Sequence, residues 1–237
     1  MAEVRRFADA DELGRALAAE IVALRPRLLG CPGGRSLRST YRALARAGAD
    51  LSETTIVMMD EYVPVPPVDA HYSCRGFALR EIAAPLGIPA DRVWLPDPDD
   101  PAAYDERIAA AGGIDLFLLA SGASDGHVAF LPPGSRLDGR TSVVRLAEST
   151  RRDNVATFPD FGSAAEVPEH GVTVGLGTIR AARRARLVLH GEGKRVAAAR
   201  VLAAEGFDPD WPATVIQTFA DGQIWLDAAA DAGAADA

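Results

Sequence analysis

Apolar residues recur at Leu13, Leu17, Ile21 and Leu24, a spacing that predicts an amphipathic helix over "DADELGRALAAEIVAL" with Asp9 or Asp11 as its cap. The period then changes. "RLLGC" is a short, unbroken apolar run ended by Pro32-Gly33-Gly34, and "SLRSTYRALARAG" returns to helical spacing with Gly48 at the stop. The alternation continues, with "TTIVMMD", "RVWLP", "IDLFLLAS", "GVTVGLG", "ARLVLHG" and "QIWLDA" predicted as strands. "CRGFALREIAAPL", "PAAYDERIAAAGG" and "GKRVAAARVLAAEG" are predicted as helices. Strands that are apolar throughout and alternate with helices imply an α/β fold: an open, mostly parallel, Rossmann-like sheet with helices on both faces. "PVPPV" at 64–68 and "FPDFGSAAEVPEH" at 158–170 read as loops, so one domain is expected over 1–227, with 228–237 as a small, polar tail that frays.

Composition narrows the partners. The 237 residues suffice for one large core, and 48% apolar with 24% charged residues is ordinary for a globular chain. A net charge of -8 and a pI near 5.0 argue against nucleic acid or an anionic membrane, because a polyphosphate partner needs a basic surface. Any anion must therefore meet a local site. Two cysteines, Cys31 and Cys74, without a Cys-x-x-Cys pair or a cationic, apolar leader, suit a reducing cytoplasm. The longest apolar runs fall far short of the roughly 20 residues that span a bilayer.

Ligands of such sheets bind beyond the carboxyl ends of the strands. Three of those ends carry candidate chemistry. In "GCPGGRS" the glycine turn runs into a helix start, so backbone N–H groups of Gly33 and Gly34, with Arg35 and Ser36, could hold a phosphate or carboxylate; a tight structural turn is an equal reading. In "MMDEYV", Asp60 ends an apolar strand, where a carboxylate is placed for proton transfer or for capping a helix, and Glu61 reads as a rim residue. In "ASGASDGHVAF", Asp125 precedes His127 by two positions and could hold its tautomer for a proton shuttle; no second His or Cys stands at metal-ligand spacing. Lys194 follows the glycines of "LVLHGEG" as a candidate point charge for phosphate, against the alternative of a solvated surface lysine.

With these blocks in order, the chain resembles the glucosamine-6-phosphate deaminase and 6-phosphogluconolactonase superfamily, from "GCPGGRSLRSTYRAL" to "QIWLDA". "MDEYV", "DGHVAF" and "VPEHGVTVGLGTI" are similar to the deaminase branch. The resemblance implies a cofactor-free isomerisation of an amino sugar phosphate to a ketose phosphate with loss of ammonia, possible homo-oligomers, Asp60 as the base between C2 and C1, and His127, oriented by Asp125, as the ring-opening group. It also implies Gly33, Gly34, Arg35, Ser36 and Lys194 as the phosphate site. Three departures stand out: Leu131-Pro132-Pro133 where deaminases have Asn-Glu-Pro, whose glutamate completes a triad; Pro-Gly-Gly-Arg-Ser in the phosphate turn; and Ala156 where an arginine reaches the phosphate. Arg35, Arg151 or Arg152 could compensate. "FLPPGS" is similar to the lactonase stretch after its histidine, which leaves a sugar lactone hydrolase and a non-catalytic sugar-phosphate binder as alternatives.

Overall fold

The computed structural model describes residues 1–231. Its order is β1 (Glu3–Phe7), α1 (Ala10–Leu24), β2 (Leu28–Cys31), α2 (Arg38–Arg46), β3 (Thr55–Met58), β4 (Asp60–Val63), α3 (Cys74–Phe77), β5 (Val93–Trp94), α4 (Pro101–Ala110), β6 (Leu116–Ala120), β7 (Ser142–Arg145), α5 (Glu148–Thr157), β8 (His170–Thr173), α6 (Leu176–Arg180), β9 (Ala185–Leu189), α7 (Arg195–Ala203) and β10 (Gly222–Asp227). Seven strands form one sheet in the order β1-β10-β9-β6-β2-β3-β5, and every pairing in it is parallel. This is the predicted open α/β sheet.

Alternate strand residues explain the two helical layers. One face sends Leu29, Cys31, Ile56, Met58, Leu116, Leu118, Val188 and Trp225 against α1, α2 and the helix after Ser73. The other sends Leu28, Val57, Phe117, Leu119, Leu187, Leu189, Ile224 and Leu226 against α4, α6 and α7. Because both faces are covered, strands such as "LFLLA" must be apolar at every position, which is why they lack a period of two.

From β2 the connections first run outward through β3 to β5 and then return to the other side of β2 through β6, β9 and β10. The strand order therefore reverses between β2 and β6, where the loops that leave their carboxyl ends part and open a crevice. Asp9 caps α1 by accepting from Glu12 N, and Asp100 caps α4 by accepting from Ala103 N, as their residue types favour.

The expectations differ from the structure in four places. "GVTVGLG" does not join the main sheet; β8 pairs antiparallel with β4 and β7 in a separate three-stranded sheet. The chain passes from one sheet to the other at Met59, whose N–H donates to Cys31 O while its carbonyl accepts from Val174 N, so Asp60 opens a new strand rather than ending the old one. The helix over 74–86 changes winding, from α to a wider π segment at Ala78–Ala83 and a 3₁₀ turn at Ala84–Leu86, where Pro85 lacks the N–H to continue the ladder. Of the tail expected from residue 228, residues 228–231 make a turn in which Ala230 is buried and Arg6 binds Asp231; residues 232–237 lie outside the described residues. No helix among the described residues is long and apolar enough to cross a membrane.

Gly30 lies in β2 where a Cβ would stand 2.4 Å from the Phe117 ring of the neighbouring strand β6. Gly30→Ala is therefore expected to lower stability by about 1–3 kcal/mol, read as a fall in the urea midpoint, because the overpacked ring has no space to move into a covered sheet.

Candidate active site

The crevice holds a cavity of about 470 Å³, the size of a small-molecule site. Four strand ends meet there: Pro32 to Ser36 after β2, Met59 and Asp60 after β3, Ser121 to His127 after β6, and His190 to Lys194 after β9. Helix α5 closes the side with Thr150, Asp153, Asn154, Thr157 and Phe158. Asp60, His127, Gly33, Gly34, Arg35, Ser36 and Lys194 all line this one cavity, and Asp125 stands behind His127.

Asp60 is only 7% exposed, and the Cys74 thiol donates to it, with Sγ 3.5 Å from Oδ1. Burial lifts its pKa to about 7; the Cys74 hydrogen bond opposes that rise and the Glu61 charge adds to it. The Cys74 thiol is itself driven far up, by burial first and then by the Asp60 and Glu61 charges, so it remains a donor and not a nucleophile. The helix-capping reading for Asp60 does not hold: Ser73 caps α3 by accepting from Gly76 N, and Glu61 meets the next free N–H groups. That carboxylate is 2% exposed, not a solvated rim group, and it accepts from Cys74 N at 3.1 Å and Arg75 N at 2.9 Å at the start of α3 and from Tyr62 N at 3.0 Å. Glu61 thus clamps β4 to α3 and sets the thiol against Asp60.

His127 is held by Asp125, whose Oδ1 lies 2.8 Å from Nδ1 and also accepts the His127 backbone N–H at 3.1 Å. Burial pushes the Asp125 carboxyl up, but the His127 hydrogen bond and charge, the Ser149 hydroxyl and the His127 N–H together hold it well below the usual carboxylate range. Glycines make the loop possible. A Cβ on Gly122 would stand 2.2 Å from His127 Nδ1, and Gly126, at φ 66°, lies under the Trp211 ring with no room for a side chain. Ala129, lining the cavity at φ 54°, carries the left-handed strain that a non-glycine residue adopts only when its surroundings impose it.

Basic side chains also line the cavity. Lys194 is half-buried, its Nζ donating to Ser121 O at 2.6 Å, and burial lowers its pKa while Asp153 opposes that and Arg35 adds to it. Arg35 is exposed at the rim. His190, not singled out from the sequence although it follows the β9 run, joins them with Nε2 3.1 Å from Ser36 O. Arg151 and Arg152 do not compensate for Ala156: Arg151 donates to Val167 O and Ala165 O, Arg152 pairs with Glu148, and neither lines the cavity. Tyr62, Cys74 and the α5 residues also escaped sequence reading, since α5, with Glu148, Arg151 and Arg152 among its ten residues, has no strong apolar stripe to mark it.

Comparison with known proteins shows the family and the fold. The family described as glucosamine-6-phosphate isomerases/6-phosphogluconolactonase matches residues 8–225. A glucosamine-6-phosphate deaminase of Rhodococcus jostii is 40% identical over 217 residues, covering 86% of this chain and 81% of that protein. One of Beutenbergia cavernae is 36% identical over 242 residues, covering 96% and 91%. Among solved structures, a monomeric glucosamine-6-phosphate deaminase superposes with a TM-score of 0.88 at 27% identity, over 96% of this chain and 98% of that one. A 6-phosphogluconolactonase of Leishmania guyanensis, 18% identical with a TM-score of 0.73 over 98% of each chain, shares the fold.

The raised Asp60 pKa has a stability consequence whose sign is fixed. Its folded value, about 7, lies above the ordinary 3.8, so the folded protein binds more protons than the unfolded chain between about pH 4 and 7 and loses stability as pH rises through that window. Asp60→Asn removes this penalty. Its unfolding free energy in urea is expected to match the wild type near pH 4 and to exceed it above pH 7, by at most ~4 kcal/mol.

Proposed function

The chain belongs to the glucosamine-6-phosphate isomerase/6-phosphogluconolactonase family, and we propose that within it this protein is an enzyme that isomerises and deaminates an amino sugar phosphate. The observation that carries this reading is Asp60: a carboxylate lifted to about 7 by burial, opening on the same cavity as His127. A base poised near neutrality can take a proton from carbon and return it to the adjacent carbon without itself becoming strongly acidic or strongly basic.

In this reading the phosphate lies against Lys194, Arg35, Ser36 and the Gly33-Gly34 backbone, and the sugar extends towards Asp60 and His127. Imidazole Nε2 exchanges a proton between the C1 hydroxyl and the ring oxygen, which opens the ring. Asp60 then takes the proton on C2 and delivers it to C1 through an enolamine, leaving an imine at C2. Water adds to that carbon, the C–N bond breaks, and a ketose phosphate and ammonia leave. Arg35, whose planar guanidinium can hold two phosphate oxygens at once, takes the place of an arginine at position 156.

Lactone hydrolysis is the discriminating second chemistry, because water attack on a carbonyl needs the imidazole but not a carbon base. Purified protein is expected to release ammonia from glucosamine 6-phosphate, and Asp60→Asn to lower kcat by about a thousandfold or more with the fold intact by circular dichroism. Loss of lactone hydrolysis in His127→Ala with full retention in Asp60→Asn, and no ammonia from the wild type, would overturn the assignment.

Lys194→Ala is expected to raise KM for the phosphorylated sugar by about tenfold or more, with a smaller effect on kcat, because a point charge on a non-reacting phosphate binds ground and transition states alike. Steady-state kinetics at fixed ionic strength checks this. An unchanged KM would move the anion away from Lys194.

A further inference from the structure

We propose that Ser149 is a positioning residue that selects the tautomer of His127 through Asp125, a role that rests on the reading of His127 as a proton-transfer group. The Asp125 carboxylate has two oxygens with separate duties. Oδ1 serves His127, accepting its backbone N–H and facing its Nδ1. Oδ2 is engaged by the Ser149 hydroxyl, which donates to it in a close contact.

A carboxylate turns readily about its last torsion, and that torsion is what aims Oδ1 at the imidazole. Ser149 donates to one oxygen and thereby fixes the direction of the other. Gly122 leaves the room this requires, since a Cβ there would stand 2.3 Å from Asp125 Oδ1 and its own N–H is spent on His127 O at 2.7 Å.

The neighbouring residue makes the choice a real one. Thr150 Oγ1 lies 3.4 Å from the same His127 Nδ1 and is a hydroxyl, able to accept from Nδ1–H or donate to a bare Nδ1. With Asp125 oriented, Nδ1 carries the proton and Nε2 is the bare nitrogen available to the cavity. With Asp125 turned away, Thr150 can donate to Nδ1 and the proton moves to Nε2, where the imidazole can no longer accept from a substrate hydroxyl.

Both contacts come from the first turn of α5, whose later turns supply Asp153, Asn154, Thr157 and Phe158 to the cavity wall. The placement of α5 and the protonation pattern of the imidazole are therefore joined at one hydroxyl. Ser149 does not line the cavity, so it acts through Asp125 and not on the substrate. It supplies a neutral donor as the third member of this relay, in a chain that has Pro132 and not a carboxylate after the histidine loop.

The test is the tautomer itself. In protein carrying 15N-labelled histidine, long-range 15N–1H correlation spectra at pH 8 are expected to show wild-type His127 as the single Nδ1–H form. Ser149→Ala should show a mixture with the Nε2–H form, and Ser149→Thr, which keeps the hydroxyl, should restore the single form. Where ammonia release is measurable, Ser149→Ala should lose about tenfold in kcat with KM within twofold, and Ser149→Thr should recover most of it. An unchanged Nδ1–H tautomer in Ser149→Ala, or an equal mixture in Ser149→Thr, overturns the proposal. If no sugar phosphate is turned over by the wild type, the functional assignment fails, while the spectra of the same three proteins still decide the role of Ser149.

Discussion

A parallel sheet whose connections leave its centre in opposite directions cannot close over its own carboxyl edge, and the rest of the molecule follows from that constraint. The reversal between β2 and β6 parts two glycine-bearing loops, and residues as distant in the chain as Gly33, Asp60, His127 and Lys194 are brought to one opening because parallel strands all end on the same side. The strands themselves do no chemistry. The central strands are almost wholly apolar because both faces are covered, with Arg186 of β9 held among Glu20 and Asp221 as the exception, so the polar side chains of the cavity stand where the strands stop.

The second consequence is the small antiparallel sheet. Strand β3 leads straight into the bend at Met59, and the residue after the bend is Asp60, which is carried out of the main sheet and yet remains buried. An ionisable carboxylate in that place needs neighbours that tolerate its charge without fully neutralising it. The Cys74 thiol is such a neighbour: a weak donor at 3.5 Å, kept protonated by burial and by the carboxylates around it. Glu61 is its counterpart in structure. It spends its charge on the N–H groups at the start of α3 and on Tyr62 N, a use that ties the small sheet to the helix bearing Cys74. Two adjacent carboxylates, both buried, thus differ in availability: one is saturated by backbone donors and the other faces a cavity.

Much of this was legible in the residues. Period and apolar runs marked the six central and flanking strands β2, β3, β5, β6, β9 and β10 and the helices α1, α2, α4 and α7, because each is long or wholly apolar. The glycine turns at the strand ends and the residues Asp60, Asp125, His127 and Lys194 stood out because they follow apolar strands, where ligands of such sheets bind, although a structural turn, a helix cap at Asp60 and a solvated Lys194 stood beside that reading. What escaped has a physical reason as well. Strand β7, "SVVR", is partly exposed, and β1, "EVRRF", lies at an edge, so neither has the unbroken apolar run of a central strand. Helix α5 has only Thr150 fully buried, so its sequence reads as polar and aperiodic. Its contribution to the cavity depends on tertiary placement, and no local pattern marks Ser149 as the partner of a carboxylate 24 positions earlier.

The two acids of the site illustrate how one residue type is made to serve two purposes. Asp60 and Asp125 begin from the same ordinary carboxyl value and are driven in opposite directions. Around Asp60 the largest influence is loss of solvent, with only a thiol to offset it, so the proton is held up to near neutrality. Around Asp125 burial is outweighed by an imidazole, a backbone N–H and a hydroxyl, so its carboxyl is held well below the usual carboxylate range. A group that exchanges its proton near pH 7 is suited to move one between carbons, whereas a carboxylate that stays charged near neutrality is suited to hold an imidazole in place. Exchanging the two environments would leave the sequence motifs intact and remove both capacities, so the division of labour resides in the neighbours: Cys74 and the bend at Met59 for one acid, and Ser149 with the His127 loop for the other.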